Sequence, residues 1–205
     1  MMYTDRAEAG RALALDLDYL RARNPLVLGL PRGGVPVAAE IASALGADLD
    51  VVPVRKLGVP GQPELAMGAI GENDITVLNE QVIDRMEITP ADIASVRQQE
   101  QIELQRRARR WRRRDPISRR GRLVIIVDDG MATGATAEAA CRVVAAEHPS
   151  AIVVAVPVAA PEAVVRVGSV ADDVVARVGM RLGGVGAAYS DFHQLTDGEV
   201  SRLLA

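Results

Sequence analysis

The sequence is almost without lysine: of 24 basic residues among 205, only Lys56 is not an arginine. It has one cysteine, Cys141, which excludes an intrachain disulfide framework and a cysteine-ligated zinc site. Its two histidines, His148 and His193, have no partner at metal-ligand spacing. Aromatic residues make up 2%, against 49% hydrophobic residues in all. The core must therefore come from Ala, Val, Leu and Ile, which suffice at this length. No apolar run reaches the roughly 20 residues of a membrane span. The opening MMYTDRAEAG is polar and has no secretory character, so a cytoplasmic protein that does not touch membrane is expected. No internal repeat and no low-complexity linker is visible.

What is present centres on residues 123–136, LVIIVDDGMATGAT. Leu123 to Val127 form an apolar, β-branched run, which predicts a parallel strand buried on both faces. Two carboxylates follow, Asp128 and Asp129, and then a loop of small residues, Gly130 to Thr136. A helical pattern begins at Ala137. Backbone N–H groups in such a loop, with the N-terminus of the next helix, can wrap a phosphate. The acid pair cannot ligate phosphate, but it can accept hydrogen bonds from sugar hydroxyls. Phosphate and diol together suit a ribose 5-phosphate. The alternative is an ordinary strand-to-helix turn with a capping threonine. A Walker loop is excluded, because no Gly-Lys-Ser/Thr follows.

Two further segments carry cations. Residues 26–30, LVLGL, read as the first core strand and lead into Pro31-Arg32-Gly33-Gly34, where a cation adjoins backbone able to approach an anion. Residues 48–55 read as a second short strand. From Arg55 a Gly- and Pro-rich stretch, RKLGVPGQPE and on to Glu72, reads as a mobile loop, with Lys56 at its start. A solvated connection is the alternative. Residues 73–80 suggest a returning strand, so that a β-arm would flank this loop.

The pattern of four hydrophobic residues, two acids and a loop ending T-G-x-T resembles the signature of the type I phosphoribosyltransferases. The R-G-G segment resembles the diphosphate loop of that family, and R-K-x-G-x-P-G is similar to adenine phosphoribosyltransferases. The resemblance implies a doubly wound parallel α/β sheet over about 26–178, a helical insertion over about 81–115, and a hood over about 179–205 with the N-terminal helix, in one domain spanning 1–205. It implies transfer of 5-phosphoribose from 5-phosphoribosyl 1-diphosphate (PRPP) to a nitrogen base, with Mg²⁺ held mainly by substrate oxygens near Asp128 and Asp129. Those aspartates would hold the ribose hydroxyls. Met131, Ala132, Thr133, Gly134, Ala135 and Thr136 would cradle the 5-phosphate. Arg32, Gly33, Gly34 and Lys56 would face the diphosphate. By its position on the loop alone, and not from the resemblance, Glu72 or Glu64 is the candidate to transfer a proton. Ala132 stands where 6-oxopurine members carry an acid, which argues against a hypoxanthine or guanine acceptor.

Several segments stay open. Residues 4–23 predict a packing helix, with Leu13, Leu17 and Leu20 at helical spacing. Residues 97–122 hold 11 Arg against three acids. The cluster Arg106–Arg114 around Trp111 reads as a solvated helix face or subunit contact rather than a nucleic-acid site. A PRPP-sensing regulator with RNA or DNA contacts is the alternative to an enzyme. Tyr189 and Phe192 either stack on a base or pin the terminal segment to the core. A homodimer is the expected assembly.

Overall fold

The computed structural model describes residues 2–72, 74–111, 115–179 and 184–205, with Glu64 placed by its backbone alone. Five parallel strands form the central sheet: β1 (Leu26–Gly29), β2 (Asp48–Val51), β6 (Leu123–Val127), β7 (Ala151–Ala159) and β8 (Asp173–Gly179), in the order β2-β1-β6-β7-β8. Every residue of β1 and β6 is buried, as continuous apolar runs require of strands covered on both sides. Side-chain alternation sorts them onto two faces. Val27, Leu123, Ile125 and Val127 meet α1 (Arg6–Asp16) and α2 (Gly34–Leu45) on one face. Leu26, Leu28, Val124 and Ile126 meet α5 (Ala135–Ala145) and α6 (Pro161–Gly168) on the other.

The register positions the site. Gly29 of β1 and Val127 of β6 are partners, so the segments that follow them emerge side by side at one edge of the sheet. Val127 also pairs with Ala155, and β7 runs four residues further, to Ala159. That overhang pairs with Met131 and with β8.

Residues 55–72 correct the expected mobile loop. They form a hairpin, β3 (Arg55–Val59) and β4 (Gln62–Ile70), extended by β5 (Thr76–Leu78). Gly61 turns the chain with φ of 77°, a conformation open to glycine. Leu57, Val59, Met67 and Ile70 are buried against Leu104 of α4 (Pro90–Trp111) and apolar residues of α3 (Glu80–Arg85). The helical insertion is thus the cover of this arm. A register shift at Gly58 breaks the strand alternation and hides the hairpin from a periodicity reading. The end of the arm is held by a buried ion cluster. Arg119, only 2% exposed, reaches both carboxylate oxygens of Glu147 at 2.8 and 3.1 Å, and the carbonyl of Val51 at 3.3 Å.

The predicted packing helix divides into α1 and a short 3-10 turn (Asp18–Arg23), which stops at Asn24 in the left-handed region. The terminal helix α7 (Asp197–Leu203) starts at a capping box of Thr196 and Glu199. It packs its Val200 with Trp111, Val35 and Val51. Trp111 is 3% exposed and donates to Asp197 at 3.1 Å, while Arg110 pairs with Asp197, and Arg106 and Arg107 pair with Glu103. Of the cluster, Arg106 and Arg107 are thus paired within α4 and Arg110 is paired with α7. Arg112–Arg114 lie outside the described residues.

Candidate phosphoribosyl site

Asp128 and Asp129 leave β6 beside the loop that leaves β1, and the two loops are in close contact. A Cβ on Gly33 would lie 2.1 Å from Asp129 Oδ2, and one on Gly34 would lie 2.3 Å from the carbonyl of Val127. Only glycine lets the backbone of this loop approach the acids so closely. The Pro31–Arg32 peptide is cis. Arg32, half-buried at the head of the loop, lies in the field of Asp197.

The acids are unequal. Burial pushes the Asp128 carboxyl well above the usual carboxylate range, and the adjoining Asp129 charge adds to this. Asp128 Oδ1 also accepts from the Asp129 N–H at 2.9 Å. Asp129 is raised by burial too, but Arg6 opposes that shift through a hydrogen bond and its charge. Arg6 Nε lies 2.8 Å from Asp129 Oδ2, with both side chains largely buried. No role for Arg6 was expected from the sequence. A signal was present: Arg6 lies seven residues before Leu13, on the face that continues to Leu17 and Leu20, where an arginine needs a buried partner.

The loop after the acids divides in two. Met131 is buried, donates to the carbonyl of Val158 at 2.9 Å and accepts from Ala160. It belongs to the sheet, so the expected phosphate cradle begins one residue later. From Ala132 the loop turns outward, with Ala132, Thr133 and Thr136 exposed. The N–H groups of Ala132, Thr133, Gly134 and Thr136 have no hydrogen-bond acceptor among the described residues. Gly134 caps α5 with φ of 72°. A Cβ there would meet Val167 Cγ2 at 3.0 Å and the carbonyl of Ala163 at 3.1 Å. We expect Gly134→Ala to cost about 1–2 kcal/mol in urea denaturation, the strain of a left-handed residue with a side chain.

Lys56 stands in β3, in register with Ala69, rather than in a loop. It lines a cavity of about 230 Å³ between the arm and α5, with Leu65, Ala135, Glu138, Arg142 and Arg166. Ala135 joins this cavity to the start of the cradle. Glu138 receives Arg142 at 2.9 Å and Arg166 at 2.5 Å.

Glu72 corrects a second expectation. It follows β4, its carboxylate is 4.0 Å from Arg119, and the neighbouring Gly71 packs on Val143. Val143 lies eight residues along α5 from Ala135, or about 12 Å at helical rise. Glu72 thus sits by the far end of that helix, away from the acids and the cradle, and not on a mobile loop. The side chain of Glu64 lies outside the described residues.

Tyr189 is 3% exposed. Its ring packs between Tyr3 and Phe192, at 5.8 and 5.0 Å between centroids, and its hydroxyl donates to the Asp129 carbonyl at 2.6 Å. Phe192 carries the Arg6 guanidinium 4.0 Å from its ring centre and packs on Gly186. Tyr189 is thus buried as a pin between the tail and the core, while Phe192 is half-buried against Arg6 and Gly186. The N-terminal segment and the tail are laced by Tyr3–Ala188, Ser190–Tyr3 and Asp191–Thr4 backbone bonds over the acid pair. Leu182 and Gly183 of the expected hood lie outside the described residues.

Among the described residues no three His, Cys, Asp or Glu converge as a metal cage. Two adjacent carboxylates still suit a hard ion that keeps its waters and takes other ligands from a substrate. No described helix is long and apolar enough to cross a membrane.

A five-stranded parallel sheet, an acid pair at its carboxyl edge and an amide cup beside it define the phosphoribosyltransferase class of α/β protein. The chain belongs to that family: residues 3–188 match the model of the phosphoribosyl transferase domain. Two curated relatives from strains of Mycobacterium tuberculosis, provisionally named phosphoribosyl transferases, are each 50% identical to it over 205 residues, covering 99% of this chain and 46% of theirs. The chain thus spans about half the length of the curated relatives it matches. A crystal structure from Thermus thermophilus is 47% identical and superposes with a TM-score of 0.93, covering 100% of this chain and 98% of that one.

Proposed function

We propose that the protein transfers 5-phosphoribose from PRPP to a nitrogen base and releases diphosphate. The observation that carries this reading is the acid pair beside a cup of uncommitted amides, at one edge of the sheet. Ala132 to Thr136 hold the 5-phosphate by N–H and hydroxyl donors, at the N-terminus of α5. Asp128 and Asp129 accept from the ribose 2- and 3-hydroxyls. Arg32 and the Gly33-Gly34 backbone face the diphosphate, and Lys56 reaches toward it from the arm. Asp128 and Asp129 would lie nearest a Mg²⁺ brought in with the substrate, which would supply charge neutralisation for the leaving group.

The bond from C1 to the diphosphate oxygen breaks, and a bond from a base nitrogen to C1 forms. A proton from the base nitrogen passes to solvent, since Glu72 does not stand near the acids. The chain contributes position and charge: the acids steady the ribose as positive character develops at C1, and the cations steady the departing diphosphate. No covalent nucleophile is required. Ala132 provides no carboxylate beside the base, which supports an acceptor other than a 6-oxopurine.

A screen of radiolabelled bases with Mg·PRPP tests the reading. Nucleotide and diphosphate should appear together in equal amounts with at least one base. Tight PRPP binding with no product from any base would instead favour the effector-sensing regulator. Against a nucleic-acid partner stand the burial of Trp111 and the ion pairs of Arg106, Arg107 and Arg110.

A further inference from the structure

We propose that the cavity between the arm and α5 is a second ligand site, apart from the phosphoribosyl cup, and that it takes a single flat ring carrying one anionic group. Its separation from the reacting centre rests on the phosphoribosyl reading of the cup. The existence and the chemistry of the site do not.

The cavity follows from how α5 meets the arm. Ala135, Glu138, Ala139 and Arg142 recur at helical spacing, so one face of α5 lines it. One turn beyond Ala139, Val143 closes on Ala69 and on Gly71, where a Cβ would lie 2.2 Å from Val143 Cγ1. Toward the cradle the helix offers only the methyl groups of Ala135 and Ala139, and the arm answers with Ala66 and Gly68. Such small groups cannot fill the space that Val143 fills further along, and about 230 Å³ stays open. An apolar cavity of about 150 Å³ admits one benzene ring. This one has room within its walls for a ring and one small substituent.

The charged lining decides the substituent. Lys56 of β3, Arg142 of α5 and Arg166 of α6 stand against one carboxylate, Glu138. Glu138 Oε1 accepts from Arg142 Nε and Nη2 at 3.1 and 2.9 Å, and its Oε2 accepts from Arg166 Nε at 2.5 Å. Arg142 Nη1 and both Nη groups of Arg166 have no acceptor among the described residues. One carboxylate thus holds two guanidiniums side by side and leaves donors over, which suits a second carboxylate. A bare ion would leave the apolar wall wet, and an uncharged ring would make no use of those donors. A ring with one carboxylate answers both.

The site is not where an acceptor base reacts. Of the cup, only Ala135 and Lys56 line the cavity. Asp128, Asp129, Arg32 and the Gly33-Gly34 backbone, which flank the breaking bond in the proposed reaction, do not.

The test is titration of the full chain with benzoate, followed by calorimetry and by ¹H–¹⁵N spectra. Benzoate has no ring nitrogen, so it cannot serve as the acceptor. It should bind with a dissociation constant of about 1 mM or lower, within reach of so small a ligand. The amide signals of Ala66, Asn79 and Ala139, which line the cavity, should move. Benzamide keeps the ring without the charge, and acetate keeps the charge without the ring. Each should bind about tenfold or more weakly. Ala66→Phe fills the cavity from a half-buried position on β4, and Arg166→Gln removes an exposed cation. Each should weaken benzoate by about tenfold or more. Saturating Mg·PRPP should leave benzoate bound.

Failure of benzoate to bind, equal affinity for the three ligands, or signal changes confined to the acid pair and the cup would each overturn the proposal. So would strict competition with Mg·PRPP, or unchanged benzoate affinity in both variants. If Ala66→Phe does not fold, Arg166→Gln and the comparison of the three ligands on the wild type still decide. Failure of the wild type to bind Mg·PRPP, with benzoate held in the cavity, would instead count against the phosphoribosyl reading and leave the second site standing.

Discussion

Asp128→Asn combined with Asp129→Asn should abolish Mg·PRPP binding while the protein stays folded. Each carboxylate offers charge-assisted hydrogen bonds to a hydroxyl, and such bonds contribute about 1.5–3 kcal/mol each. Loss of both should weaken binding by a factor on the order of 10²–10⁴ in calorimetry. An amide keeps the shape but no longer supplies an acceptor-only group at each position. Undiminished affinity would refute the assignment of the acids. The fold should survive for a separate electrostatic reason. Burial raises the Asp128 carboxyl, so the folded chain binds that proton more tightly than the unfolded chain. Its stabilising contribution is complete at low pH and is lost as pH rises through the raised midpoint. An asparagine in its place has no proton to lose. Asp129→Asn acts in the opposite sense, by taking the partner of Arg6. The melting temperature of the double variant should therefore fall less between pH 5 and pH 8 than that of the wild type, even though binding is gone.

Arg119→Leu should have the largest effect on stability. Arg119 is closed from solvent and anchors Glu147, the Val51 carbonyl and, at 4.0 Å, Glu72. Leucine fills much of the space but leaves two largely buried carboxylates without their arginine. Breaking a buried pair in this way costs about 3–5 kcal/mol. For a chain of this length that corresponds to a fall in melting temperature of roughly 6–20 °C, measurable by scanning calorimetry. PRPP affinity below the transition should be nearly unchanged, because the cluster lies near the opposite end of α5 from the cradle. A large loss of turnover with an unaltered melting temperature would return Glu72 to the chemistry.

The parts of this molecule that were readable in advance are those where one local pattern has one meaning. LVIIV can only be buried on both faces, and DDGMATGAT can only leave such a strand as acids, turn and helix. The parallel sheet and the place of the acids follow from those residues. A β-arm was expected, but its hairpin over residues 55–70 was not readable, because the strands keep no clean alternation: Gly58 bulges, and Pro60, Gly61 and Pro63 carry turn signals within it. Its apolar face is matched by α4, whose Ile93, Val96 and Leu104 stand far apart among polar residues. Met131 was misplaced because its side of the loop is set by the length of β7, a pairing that no local window contains. Glu72 was assigned from position along the chain, but position in space depended on Arg119, 47 residues later. Arg6 was missed because an arginine on an apolar helix face shows its purpose only once Asp129 is seen beside it.

The lacing of both extremities of the chain over the acid pair has a consequence for how the protein matures. Arg6 meets Asp129 across 123 residues and the carbonyl of His193 across 187. Contacts so distant in sequence close slowly, since a long segment must be ordered before they reward it. The pairings β1–β2, β6–β7 and β7–β8 join successive strands of the sheet and can consolidate first, whereas β1–β6 also closes a long segment. Binding competence is then the last property the nascent molecule acquires, after its compactness is already established.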